Sequence, residues 1–210
     1  MSLSASAIIS FPLPDNFQSV SFDDFVARKV APLIPDAAKL ITIDGLDGAG
    51  KSTLMKNLAA SIGYDGIDLD CFLIGDQNAY LDHIKYDELS DKVASESRKI
   101  VSGCIIDWAL KRIGKHADFR IYVVRVSQMR NQPEQEWWDE ADLLFNASSW
   151  EEEIEREEQQ LSRFLEFAEL DSGEPVESSV GGLRKELIRY HVDARPHEAA
   201  DMLVKLVRYV

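Results

Sequence analysis

Gly45-Leu46-Asp47-Gly48-Ala49-Gly50-Lys51-Ser52-Thr53 is the stretch on which the reading of this chain turns. It satisfies G-x-x-x-x-G-K-[ST] at every position. The β-branched run Lys39-Leu-Ile-Thr-Ile-Asp44 precedes it, and a helical pattern over 52–62 follows, with Leu54, Met55, Leu58, Ala59 and Ile62 on one side and Gly63 as its stop. Each residue type has a physical reason to be there. Gly45, Gly48 and Gly50 permit a turn in which several backbone N–H groups converge on one anion. The helix N-terminus adds partial positive charge. Lys51 brings a mobile point charge, and the Ser52 hydroxyl suits Mg²⁺, which prefers hard oxygen ligands. Gly45, Asp47, Gly48, Ala49, Gly50, Lys51, Ser52 and Thr53 therefore read as a cradle for the phosphates of a nucleoside triphosphate such as ATP.

Working outward, strand and helix patterns alternate. Strands are expected at 39–44, 67–70, 99–106 and 119–126, with a last one at 200–207 or, in competition, at 142–145. Helical patterns cover 22–31, 52–62, 79–83, 88–96, 107–113, 149–170 and 183–191. Such alternation implies crossover connections, hence an α/β architecture with a parallel sheet and helices on both faces. Residues 1–210 read as a single domain. Within it, 1–38 are a loose lead-in followed by a small helix, and 127–182 are a lid insertion ending in a polar, glycine-containing loop at 171–182.

Composition narrows the partners. The 210 residues carry a formal net charge of -14, which gives the chain no general attraction for nucleic acid or an anionic membrane. Cys71 and Cys104 form no CxxC pair, so neither a disulfide framework nor a zinc site is expected. The N-terminus lacks the basic flank of a secretory signal, and no apolar run reaches the length of a membrane span. The expectation is a cytoplasmic protein acting on a small molecule; a homodimer is compatible with this composition.

Asp70 closes the second expected strand. Ligands of an open parallel sheet bind at that edge, where a carboxylate takes a proton from a substrate hydroxyl or helps to orient Mg²⁺; Asp68 is the reserve. Phe72, Tyr80, His83 and Tyr86 follow. Their rings suit stacking on a base, with Tyr80 or His83 bonding a ribose hydroxyl, although ordinary core packing accounts for the same pattern. Transfer of a phosphoryl group also asks for an added cation. Arg130, just past the fourth strand and before the polar 131–135 stretch, is the first choice, with Arg112 and Arg125 behind it. Trp137-Trp138 would anchor the lid, Trp108 reads as core, and the acidic run 151–158 reads as a solvated helix face.

These segments resemble the uridine kinase family. Asp70-Cys71-Phe72 is similar to its Asp-x-Phe segment. Glu88-Leu89, near Tyr80 and Lys85-Tyr86-Asp87, is similar to its acceptor-side region, and Ile100-Val-Ser-Gly-Cys-Ile105 to its third strand. Glu186-Leu-Ile-Arg-Tyr-His191, with Arg195-Pro196 and Ala200-Asp201, is similar to its C-terminal segment. The resemblance covers most of 39–126 and 183–207. It implies a P-loop NTPase three-layer fold with a five-stranded parallel sheet and a helical lid insertion. It also implies transfer of the γ-phosphate of ATP to a nucleoside hydroxyl, with Asp70 as base. Cys71 and Ser102 depart from it, standing where relatives often carry acidic residues. Asp47 resembles thymidylate kinase instead, which makes a nucleoside monophosphate an alternative acceptor. A nucleotide-binding switch or regulatory ATPase is the alternative of another class, favoured by Cys71, Ser102 and the long acidic helix.

Overall fold

The computed structural model describes residues 7–12, 20–75, 79–129, 132–138, 147–172 and 179–209. In chain order the regular elements are β1 (Ala7–Pro12), α1 (Val20–Val30), β2 (Leu40–Asp44), α2 (Lys51–Ile62), β3 (Asp65–Asp68), α3 (Tyr86–Ala94), β4 (Lys99–Ser102) and α4 (Ile106–Arg112). Then come β5 (Phe119–Met129), β6 (Gln132–Trp138), α5 (Trp150–Ser172), α6 (Gly182–Ala194), α7 (Pro196–Ala199) and β7 (Met202–Tyr209). Strands β1-β7-β5-β2-β4-β3 lie in that order, each parallel to its neighbours. β6 folds back antiparallel on the far end of β5.

β2 is buried on both faces along its whole length, as a central strand of a covered parallel sheet must be. Alternate side chains then divide the core. Ile41, Ile43, Ile121, Val123, Met202 and Val204 meet Val26 and Val30 of α1 and Leu54, Met55 and Leu58 of α2. On the opposite face Leu40, Ile67 and Val101 meet Leu89 of α3, Leu110 of α4 and Leu187 and Tyr190 of α6. Tyr122, Val124 and Leu203 meet Ile188 of α6, with Trp150 and Ile154 of α5 packed against them. The result is three layers, helix on sheet on helix.

Several expectations are corrected. The parallel sheet has six strands, not five, because part of the stretch read as a loose lead-in is β1, an edge strand paired along its length with β7. Pro12 is tolerated there because an edge strand need not donate on its outer side. The second strand is Asp65–Asp68, so Asp70 lies beyond it in the 3₁₀ turn Leu69–Phe72. β4 stops at Ser102, and the 79–83 pattern resolves to a 3₁₀ turn, Leu81–His83. The last strand is β7, and the competing 142–145 lies outside the described residues. Within the polar 131–135 stretch, 132–135 belong to β6.

The acidic face of α5 is not simply solvated either. Glu157 accepts from Arg184 of α6 through both carboxylate oxygens, Lys185 pairs with Glu158 at 2.9 Å, and buried Glu153 pairs with Arg156. Among the described residues, no helix is long and apolar enough to cross a membrane.

This topology positions one crevice. From β2 the chain crosses through α2 toward β3 on one side, and from β5 it continues toward β7 on the other. Where neighbouring strands lead away in opposite directions, their carboxyl ends open a cleft. β7 occupies one edge of β5 from Ile121 to Gln128. Along the other edge β2 pairs only up to Tyr122, and β6 begins at Val126. The three residues between open onto the loop that follows β2.

Candidate phosphate and acceptor site

The loop leaves β2 at Gly45 with φ +152° and turns again through Gly48 and Gly50, at +67° and +96°. A Cβ on Gly45 would overlap the Val123 carbonyl oxygen, so only glycine passes β5 at this point. Gly50 is the N-cap of α2, with no side-chain cap bond, and Leu54 is the first residue to donate back, to Gly50 O at 3.0 Å. The amides of Lys51, Ser52 and Thr53 thus belong to the helix turn that has no acceptor of its own, the arrangement that binds anions.

Lys51 is buried, and its Nζ donates to Leu46 O at 2.7 Å. An ammonium has three donors, so this bond positions the charge inside the loop and leaves capacity for phosphate oxygens. Asp47 and Gly48 form the exposed tip, Gly48 N donating to Asp47 Oδ1 at 2.7 Å. Ala49 is buried, Ser52 half-buried and Thr53 exposed. Beside the loop lies a cavity of about 180 Å³ lined by Leu46, Asp47, Ala49, Tyr122, Val123, Val124 and Arg125. This is the crevice that the topology predicts.

Asp44 stands directly behind the loop. It is buried, accepts from Gly45 N at 2.7 Å on Oδ1 and accepts the Tyr190 phenol on Oδ2. Burial pushes its carboxyl up to about 7; the hydrogen bonds from Tyr190 and Gly45 and the Lys51 charge oppose that rise, while Asp107 adds to it. Tyr190 is edge-on to Trp108, with ring centroids 5.2 Å apart. On the next turn face of α6, His191 Nδ1 bonds Leu187 O at 2.8 Å; since a carbonyl only accepts, Nε2 is the acceptor for Tyr122 O–H at 2.9 Å. Burial holds His191 neutral, with its pKa lowered to about 4.

Beyond β3, two short turns are clasped together. Lys85 N donates to Phe72 O at 2.9 Å, Ile74 N donates to His83 O at 2.7 Å, and Leu73 bridges Ile84. Asp70 projects from the first turn, exposed, and Tyr80 O–H donates to its Oδ1 at 2.5 Å. Cys104 joins this side to the loop: its thiol lies 3.5 Å from Gly45 O. Burial pushes that thiol up to about 11; Lys51 opposes the shift, and Asp44 and Asp70 both add to it. Asp70, Cys104, Lys51 and Asp44 therefore share one electrostatic neighbourhood at the carboxyl ends of β2 and β4.

The remaining expected residues are placed as follows. Tyr80 is buried, and burial first and Asp70 second push its phenol upward. Phe72 and Tyr86 are partly buried and packed against the core, and Tyr86 O–H donates to Leu81 O at 2.6 Å. The His83 backbone takes part in the clasp, and its side chain is half-buried. Arg112 serves the same turn, donating to Leu81 O and Asp82 and lying over the Tyr86 ring. Arg125 lines the cavity beside the loop. Arg130 lies outside the described residues, as do the side chains of Trp137 and Trp138.

No known family model matches this chain. No curated protein matches it either. Sequence reasoning missed Asp44, Cys104, Glu186 and Tyr190. Only Asp44 carries a local signal, the one charged residue of β2 and immediately preceding the motif.

Proposed function

We propose that this protein is an ATP-dependent phosphotransferase that moves a γ-phosphate to the hydroxyl of a nucleoside or similar small metabolite. The observation that carries the reading is the loop itself, in which left-handed glycines present the uncapped start of α2 beside a buried lysine. In this reading the amides of 51–53 and Lys51 grip the phosphates. The acceptor hydroxyl oxygen attacks the γ-phosphorus, its proton passes to Asp70, and the bond to the β–γ bridging oxygen breaks to release ADP. Asp70 has one oxygen engaged by Tyr80 and the other available for that proton.

Among the described residues no group of three or more His, Cys, Asp or Glu side chains could hold a metal ion by itself. This donor set fits Mg²⁺ that arrives on the phosphates, since that ion keeps phosphate oxygens and waters as ligands. Ser52 is the side chain that would hold it, with Asp70 reaching it through a water, and it would neutralise charge on the transferred group. Of the described candidates for the added cation, Arg125 lines the cavity while Arg112 is engaged by Leu81 O and Asp82; Arg130 lies outside the described residues.

A calorimetric titration with Mg²⁺–AMP-PNP and an ADP-release assay with uridine, thymidine monophosphate and a panel of polyols test this. The expected result is binding together with acceptor-dependent ADP. Lys51→Met should weaken binding roughly 10- to 100-fold, the range of one charge-assisted hydrogen bond. Absence of binding by the unaltered protein would overturn the reading. Ser102 favours a second one: its hydroxyl is buried at the end of β4 without a hydrogen-bond partner, where a carboxylate would help to handle metal. ADP release that ignores every small acceptor but rises with a protein partner would identify a regulatory ATPase instead.

A further inference from the structure

We propose that Tyr80 is a positioning residue for Asp70, and that Glu186 on α6 positions Tyr80 in turn; this role rests on the phosphotransferase reading above. Asp70 sits on a one-turn 3₁₀ segment and is exposed, so nothing in its own element fixes its carboxylate. Tyr80 supplies what the turn lacks. Its ring is 4% exposed and locked in the core, and its hydroxyl donates to one carboxylate oxygen at 2.5 Å. A carboxylate held through one oxygen by a rigid phenol keeps its second oxygen in a defined direction.

Tyr80 stands just before the 3₁₀ turn Leu81–His83, and a shift of that turn would carry its hydroxyl away from Asp70. Glu186 prevents that, with Oε2 accepting from both Tyr80 N at 2.8 Å and Leu81 N at 3.1 Å. The same helix donates the Tyr190 phenol to Asp44 behind the phosphate loop. α6 thus fixes both halves of the site, the acceptor-side carboxylate and the base of the phosphate cradle, in one frame. Productive transfer needs reacting atoms held to a fraction of an ångström, and here that alignment passes through Tyr80 and Glu186 rather than through any residue in the loop.

The experiment uses the full chain with Tyr80→Phe, Asp70→Asn, their combination, Glu186→Leu and Glu186→Gln. Mg²⁺–AMP-PNP affinity is read by calorimetry, and ADP release from Mg²⁺–ATP is read with uridine and with water as acceptors. Tyr80→Phe should lower turnover 10- to 100-fold while AMP-PNP affinity and the KM for ATP stay within twofold. In the Asp70→Asn background the same change should cost less than twofold, because the group it positions is gone. Glu186→Leu should reproduce the loss. Glu186→Gln, whose amide oxygen still accepts both N–H groups, should restore it.

An equal loss in both backgrounds makes Tyr80 a packing residue only, and unchanged turnover removes the role altogether; either overturns the proposal with AMP-PNP binding intact. Failure of the unaltered protein to bind AMP-PNP or release ADP fails the phosphotransferase reading itself, and this role falls with it. Should Tyr80→Phe not fold, Glu186→Leu and Glu186→Gln in both Asp70 backgrounds carry the same comparison.

Discussion

At Gly45 the backbone runs at φ +152° so close to the Val123 carbonyl that a methyl group would overlap it, whereas Gly48, at φ +67°, has open space where its Cβ would be. The two glycines look alike in the motif but differ in cost. Gly48→Ala should bear only the left-handed strain, about 1 kcal/mol. Gly45→Ala adds a collision with β5 and belongs with the large single-residue effects, about 3 kcal/mol or more. Thermal melts of the two variants, with AMP-PNP affinity beside them, check this; equal melting temperatures would contradict it. The identity of the loop glycines was legible in the sequence because the motif is local. The neighbour that makes Gly45 irreplaceable was not, since Val123 reaches it only through strand order. Tyr80 shows the same divide: in the sequence its ring reads equally as a stacking surface or as core, and only the fold shows it buried with its hydroxyl on Asp70.

α6 ties together four separate parts of the fold. Arg184 bonds Glu157 of α5, Glu186 bonds the turn at 80–81, Tyr190 bonds Asp44, and His191 bonds Tyr122 of β5. The helix itself was foreseeable from its apolar spacing over 183–191, but its partners are 106 and 146 residues away in the chain, so no local pattern announces them. One consequence concerns pH. Asp44 is an acid whose folded-state pKa is raised from 3.8 to about 7. Between these values the unfolded chain gives up a proton that the folded protein retains, so this group's contribution falls as pH rises toward 7 and is constant above it. The full penalty is on the order of 4 kcal/mol, at 1.36 kcal/mol per unit. Asp44→Asn removes the titration but leaves either Gly45 N–H or Tyr190 O–H short of an acceptor, a cost that does not depend on pH. The melting temperature of Asp44→Asn relative to the unaltered protein should therefore rise between pH 5 and pH 8, by roughly 5–10 °C for a chain of this size. A difference that stays flat across that range would show that Asp44 is not buried as described.

Across the whole molecule, two buried histidines work against Asp44. His191 and His197 are both lowered to about 4 by burial. Below pH 6.5 the unfolded chain binds protons that the folded state refuses, so stability falls progressively toward pH 4. At about 3 kcal/mol each, these two histidines act in the direction opposite to Asp44 and lower stability on the acid side. His191→Gln should flatten the decline of melting temperature between pH 6.5 and pH 4, at some cost at pH 7 from the altered Tyr122 bond; an unchanged slope would count against the buried neutral imidazole. The layered architecture was foreseeable from alternating patterns around 39–126. The edge strand β1 was not, because its register comes from β7 at the other end of the chain and Pro12 reads locally as a breaker. The neighbours of β5 have one more consequence. With β2 and β6 lying in tandem along a single flank, β5 is paired on both edges at Ile121–Tyr122 and again from Val126 to Gln128, and between them one edge is open to the loop that follows β2. Val123, whose carbonyl sets the path of Gly45, lies in that open stretch, so any change in how β5 sits between its neighbours would be felt first at Gly45.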